Sequence, residues 1–182
     1  RSSEFNFYLT AQGYTTKSAV TLSSTTALTA TYANGALGVG ATLTNAGAMA
    51  ALSLDGVTVT VSDRVLIKNQ ASAFQNGIYI VSTVGTGATN WVLTRATDYD
   101  QAAEVAEGDV VLVNAGSTNA GKAFEQTGPG PFTMGTTSIV FTAFGAANTT
   151  FTWDEITAAS QTMAVSSGYI TNNAGVVTLT LP

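Results

Sequence analysis

DRVLIKNQASAFQNGIY, running from Asp63 to Tyr79, comprises a compact apolar strand, a short polar loop, an Asn-Gly turn and a return strand. β-Branched residues lose side-chain freedom in helices and pack well on a pleated surface, so Val65, Ile67, Ile78 and Ile80 are expected to point inward from adjacent strands. Asn76-Gly77 supplies the backbone freedom of a tight turn and is expected to fix the register of the pair.

Outward from this hairpin, turn signals alternate with short apolar runs. Upstream, Leu52 to Val59 reads as two half-strands around an Asp55-Gly56 turn. Ala36 to Gly47 is spaced by glycines and predicts a surface loop with one short strand near Ala41 to Leu43; no Lys-Ser/Thr follows the glycines, as a phosphate loop would require. Ser18 to Thr31, rich in Thr, Val and Leu, predicts a strand ending at the Asn34-Gly35 turn, and Phe5 to Leu9 is either a short aromatic strand or a segment lying on a neighbouring subunit. Arg1 to Phe5 reads as a remnant of cloning or an internal cut.

Downstream, Ile78 to Val84, Trp91 to Arg95, Asp109 to Val113, Lys122 to Gln126 and Ser138 to Phe144 predict strands, and Asp98 to Ala106 predicts a short helix closed by Glu107-Gly108. Gly128-Pro129-Gly130-Pro131 forbids regular structure. Strands at intervals of roughly 8–15 residues predict an all-β chain, an antiparallel β-sandwich or barrel-like domain with one short helix. The expected organisation is an N-terminal segment over 1–17, the β-rich module over 18–145, and a smaller β-rich piece over 146–182. In that last piece, Thr150 to Ile156, Gln161 to Val165 and Val176 to Leu181 predict strands around a Gly168 to Gly175 turn region, with too little apolar surface to stand alone.

Composition narrows the function. Of 182 residues only 9% are charged, against a typical share of about 25%. The exposed face must therefore be built from Thr, Ser, Asn, Gln and Gly, which suits an extracellular fibre or coat. The six basic residues do not cluster and the net charge is −5, so a nucleic-acid partner is not expected. No apolar run approaches the roughly 18–20 residues of a membrane helix, and no membrane insertion or secretion signal is expected.

The chain contains neither histidine nor cysteine. Ser-His-Asp and Cys-His nucleophiles cannot be assembled, the usual zinc ligands are missing, and no catalytic residue or cofactor is expected. Asp98, Asp100 and Glu104 form the densest acidic cluster and could offer oxygens to a calcium ion; the simpler reading is that Asp98 caps the short helix and the other two sit in its N-terminal field. Asp98 with Glu107, or Asp154 with Glu155, could be proposed as a glycosidase pair, but no spacing selects either. Trp91, Tyr79, Tyr99, Trp153 and Tyr169 could stack on sugars, although such residues more often form core or subunit interface. Arg64 and Lys68 beside Asp63 read as surface ion pairs. An intramolecular Lys-Asn cross-link would need Lys17, Lys68 or Lys122 buried beside an Asn and an acid.

LSLDGVTVTVSDRVLIKNQASAFQNGIYIV (Leu52 to Val81), WVLTRATDYDQAAEVAEGDVVLVNAGSTNAGKAFEQT (Trp91 to Thr127) and TTSIVFTAFG (Thr136 to Gly145) together resemble a module repeated in tailed-bacteriophage tail fibre and related virion structural proteins. Several linked motifs in one order carry this resemblance over about two thirds of the chain. Three positions depart from the pattern: Ser62 stands where Gly is usual, Ala143 where Gln is usual, and Phe124 where Trp is usual. Phe151 to Pro182 resembles the start of a second fibre module that continues past the final Leu-Pro.

The resemblance implies a non-catalytic virion protein located in the tail or fibre. Its partners would be other copies of itself, usually in a homotrimer, other virion proteins, and a host-surface glycan or protein. A bacterial surface adhesin or extracellular filament subunit is the alternative, and a polysaccharide depolymerase fragment a third reading.

Overall fold

The structure is a computed structural model that describes residues 13–145 and the backbone of four strands beyond them. Its contacts divide the chain into two units, Arg1–Gly145 and Ala146–Pro182. The first contains β1 (Thr15–Thr16), β2 (Leu22–Ser23), β3 (Ala30–Ala33), β4 (Thr42–Asn45), β5 (Ser53–Leu54), β6 (Val57–Thr58), β7 (Arg64–Ile67), β8 (Gly77–Thr83), β9 (Val92–Arg95), β10 (Asp109–Leu112), β11 (Ala123–Gln126) and β12 (Phe141–Ala143). The fold is all-β.

A six-stranded sheet has the order β2-β7-β8-β9-β4-β3, and a four-stranded sheet the order β1-β10-β11-β12. Leu66, Ile78, Ala96 and Tyr99 from the first sheet side join Val111, Phe124 and Ile139 in one buried cluster. On the opposite face of the six-stranded sheet, Val65, Ile67, Tyr79 and Leu93 pack against Leu52, Leu54 and Val59 of the β5–β6 hairpin region. Strands β7 and β8 are thus buried on both faces, and each fully buried aliphatic side chain there contributes about 1.5–3 kcal/mol.

Val65, Ile67 and Ile78 are fully buried and Ile80 partly so, as expected of inward residues, but they enter two clusters. Val65 pairs with Tyr79 and Leu66 with Ile78, so Val65 and Ile67 face one cluster while Ile78 and Ile80 face the other. An apolar run buried on both sides carries no alternation from which the shared face can be read.

The pairing is mixed rather than purely antiparallel. Thr15 and Thr16 run parallel to Asp109 and Val110, Val20 bridges Val113, and Leu22 and Ser23 then run parallel to Val65 and Leu66. Hydrogen bonds follow the crossing: Lys17 N to Val110 O at 2.8 Å, Val20 N to Leu112 O at 2.9 Å, Thr21 N to Arg64 O at 2.7 Å. One extended segment therefore stitches the two sheets together, a corner device of β-sandwiches. Because it changes partners midway, the long strand expected over Ser18 to Thr31 is reduced to β2, a loop and β3.

The expected helix over Asp98 to Ala106 is a single 3-10 turn at Ala102–Glu104. Nine residues were too few for an isolated helix, and the local bonds satisfy the turn instead. Gln101 and Glu104 form a reciprocal capping box, with Glu104 Oε2 accepting the N–H groups of Asp100 and Gln101 at 3.0 Å each. A second 3-10 turn occupies Ala73–Gln75. The Ser138 to Phe144 strand is present only as β12.

In the second unit, β13 (Thr152–Ile156) pairs parallel with β15 (Ser167–Thr171), and β14 (Ser160–Thr162) parallel with β16 (Thr178–Thr180). Strand β15 takes in Gly168 to Thr171, which the sequence assigns to a turn; Tyr169-Ile170-Thr171 has the aromatic and β-branched composition that favours extended backbone. The expectation for Phe5 to Leu9 and the rest of the Gly168 to Gly175 turn region, from 172 onward, fall outside the described residues. No helix among the described residues is long and apolar enough to cross a membrane.

Candidate functional site

Asp55 and Gly56 make the tight turn between β5 and β6, with φ of 48° and 79°. Both central residues of such a turn need positive φ, which Asp tolerates and Gly adopts freely. The Asp55 carboxylate is turned into the protein, where it accepts the N–H groups of Thr118 (2.9 and 3.0 Å) and Asn119 (2.7 Å). Burial alone would raise its pKa, but these hydrogen bonds prevail and hold the carboxyl below its ordinary value. Asn119 Nδ2 in turn donates to Ser23 Oγ at 2.9 Å. Turn, loop 114–121 and β2 are thereby clamped into one polar joint.

Asn76-Gly77 does not form the tight turn expected at the end of the polar loop; Gly77 already opens β8. Asn76 has φ −65° and caps the 3-10 turn at Ala73–Gln75, so β7 and β8 are joined by the longer loop 68–76. The Asn76 side chain braces that loop, accepting from Gln70 N and donating to Ile139 O, each at 2.9 Å. Gly77 has φ 146° and lies directly under the Arg95 guanidinium. Arg95 is 2% exposed, donates to the main-chain oxygens of Asn76 (2.9 Å) and Phe74 (3.2 Å), and stacks over the Tyr79 ring at 4.9 Å. A buried arginine used this way had no signal in the sequence beyond an ordinary strand end.

The acidic cluster is separated by its partners. Asp98 makes a two-pronged ion pair with Arg64, both contacts at 2.8 Å. Glu104 faces main-chain N–H groups. Asp100 is buried, and its pKa is raised by that burial and then by neighbouring Glu104. The three carboxylates do not converge, and no group of three or more acidic side chains suited to a metal ion occurs among the described residues. Asp98 therefore caps no helix; it pairs with Arg64, and Arg64 does not pair with Asp63. Asp63 instead accepts the Thr60 N–H at 2.7 Å.

Trp91, Tyr79 and Tyr99 are all buried, which removes them from any sugar-stacking face. Lys68 lies over the Phe124 ring at 4.7 Å and donates to Asn69, its own sequence neighbour; burial lowers its pKa, partly offset by Asp55. Asp55, Asn76, Arg95 and Lys68 are thus committed to bracing the frame. Among the described residues, the most exposed large apolar side chains are Leu37 at 76% and Val61 at 61%. Comparison with protein-family models, with curated proteins and with solved structures found no match for the chain.

Proposed function

We propose that the chain is a non-catalytic tail-fibre module of a tailed bacteriophage, serving host attachment or virion assembly as part of an oligomer, and that it works in the virion outside the host. The ordered run of motifs from Leu52 to Gly145 carries this reading. One geometric detail supports it: Ser62 has φ 72°, a conformation that favours glycine, and it stands where the resembled modules carry Gly. The motif residues Asp55, Asn76 and Arg95 support it in a second way, because they tie loops to sheets and leave the surface free to vary. A weakly charged, hydroxyl-rich exterior fits an extracellular scaffold.

The genomic neighbourhood tests the reading. Genes for tail or baseplate proteins beside this one are expected, whereas sortase or secretion genes would favour the adhesin alternative. A depolymerase is tested separately by incubation with host polysaccharide, where the release of new reducing ends would overturn the non-catalytic role.

A further inference from the structure

Lys17, Asp109 and Tyr99 meet where the sheet-crossing segment leaves the four-stranded sheet. Lys17 Nζ lies 3.6 Å from Asp109 Oδ1, with the two side chains 16% and 2% exposed. The Glu104 carbonyl accepts a hydrogen bond from the same amine at 2.6 Å, and the amine sits 5.3 Å from the centre of the Tyr99 ring. The carboxyl group is held unequally. Oδ2 accepts the Ala106 N–H at 2.8 Å, while Oδ1 accepts no hydrogen bond. The Tyr99 hydroxyl is buried against Asp109, also without a well-formed hydrogen bond.

An ion pair alone leaves this arrangement poorly satisfied, since buried polar atoms without partners are costly. Burial also raises the Asp109 pKa, against the opposing pull of the Ala106 N–H and Lys17, which enriches the neutral acid that amide formation consumes.

We propose that Lys17 and Asp109 condense to an intramolecular amide, a covalent cross-link between the sheet-crossing segment and β10. Transfer of one proton from the Lys17 ammonium to Asp109 Oδ1 within the ion pair gives the free amine and the neutral acid, and the amine nitrogen then attacks Asp109 Cγ. Negative charge developing on Oδ2 meets the Ala106 N–H, as in an oxyanion hole. Oδ1 departs as water, taking its second hydrogen from the attacking nitrogen by way of the Tyr99 hydroxyl, which ends unchanged. One C–N bond forms, one C–O bond breaks and no oxidant or co-reactant is consumed. Fixed proximity supplies the driving geometry that free amine and acid lack in solution, and the bond would anchor the segment that follows β1 to β10. It does not rest on the functional reading.

Intact mass of the full, denatured chain tests this directly. The expected mass is that of the sequence less one water, with a cross-linked peptide containing both Lys17 and Asp109 after proteolysis. K17R should keep the full sequence mass, and Y99F should show a mixture of linked and unlinked chains at early times. A wild-type mass equal to that of the sequence, a missing water mapped to other residues, or the same loss in K17R would each overturn the proposal.

Discussion

Arg95 occupies the space that a side chain on Gly77 would need. A Cβ placed there would run into Nη1 of the guanidinium, and the φ of 146° is itself one that other residues resist. The absence of a side chain at one position is therefore what lets a buried arginine reach the carbonyls of Asn76 and Phe74.

Replacing Gly77 with Val should accordingly destabilise the chain by about 2–4 kcal/mol, combining backbone strain with a displaced buried charge. Denaturant melts compare the two proteins, and an unchanged midpoint would show that Arg95 can be moved at little cost.

Ser62 points the other way. A non-glycine residue in the left-handed region costs roughly 1–2 kcal/mol, part of which glycine returns through its greater freedom in the unfolded chain. S62G should therefore stabilise the fold by about 0.5–1 kcal/mol; equal or lower stability would contradict the strain assigned to this position.

Asp55 carries a pH dependence whose sign follows from its lowered pKa. The hydrogen bonds from Thr118 and Asn119 are stronger to the carboxylate than to the neutral acid, so this added stability is fully present above the ordinary value of 3.8 and is lost as pH falls through the lower folded value. D55N should melt at lower temperature than wild type at neutral pH, by about 5 °C or more, and the gap should close below pH 3.8. A constant gap across that range would assign Asp55 a role independent of its charge.

Calcium should leave the melting temperature unchanged, because Asp98 is engaged by Arg64 and Glu104 by main-chain N–H groups. D98A should change stability by no more than about 1 kcal/mol, as expected for an exposed ion pair. A rise in melting temperature with millimolar calcium that disappears in D98A would restore the acidic cluster as a cation site.

Short strands and their turns were legible because their chemistry is local. Asp55-Gly56 reads as a tight turn from two residues, and Arg64 to Ile67 as a strand from four. What was not legible depends on distant partners. That Val65 and Ile78 face different clusters could not be read because both strands are buried on both sides, and β1 and the break after β2 escaped notice because the pairing there comes from β10 and β7, which lie far along the chain. The helix expected near Asp98 lost to a capping box and an Arg64 ion pair. Arg95 and Asp109 drew no attention as functional residues in the sequence, since an isolated charge in a strand looks the same whether it faces water or core, and Tyr99 was open to both a stacking and a core reading for the same reason.

The central claim, that this chain is an oligomeric fibre module, is tested most directly by the absolute mass of the full chain in solution. Light scattering at micromolar concentration should return three copies of the 18.5 kDa chain. A mass of one chain under those conditions would contradict the account.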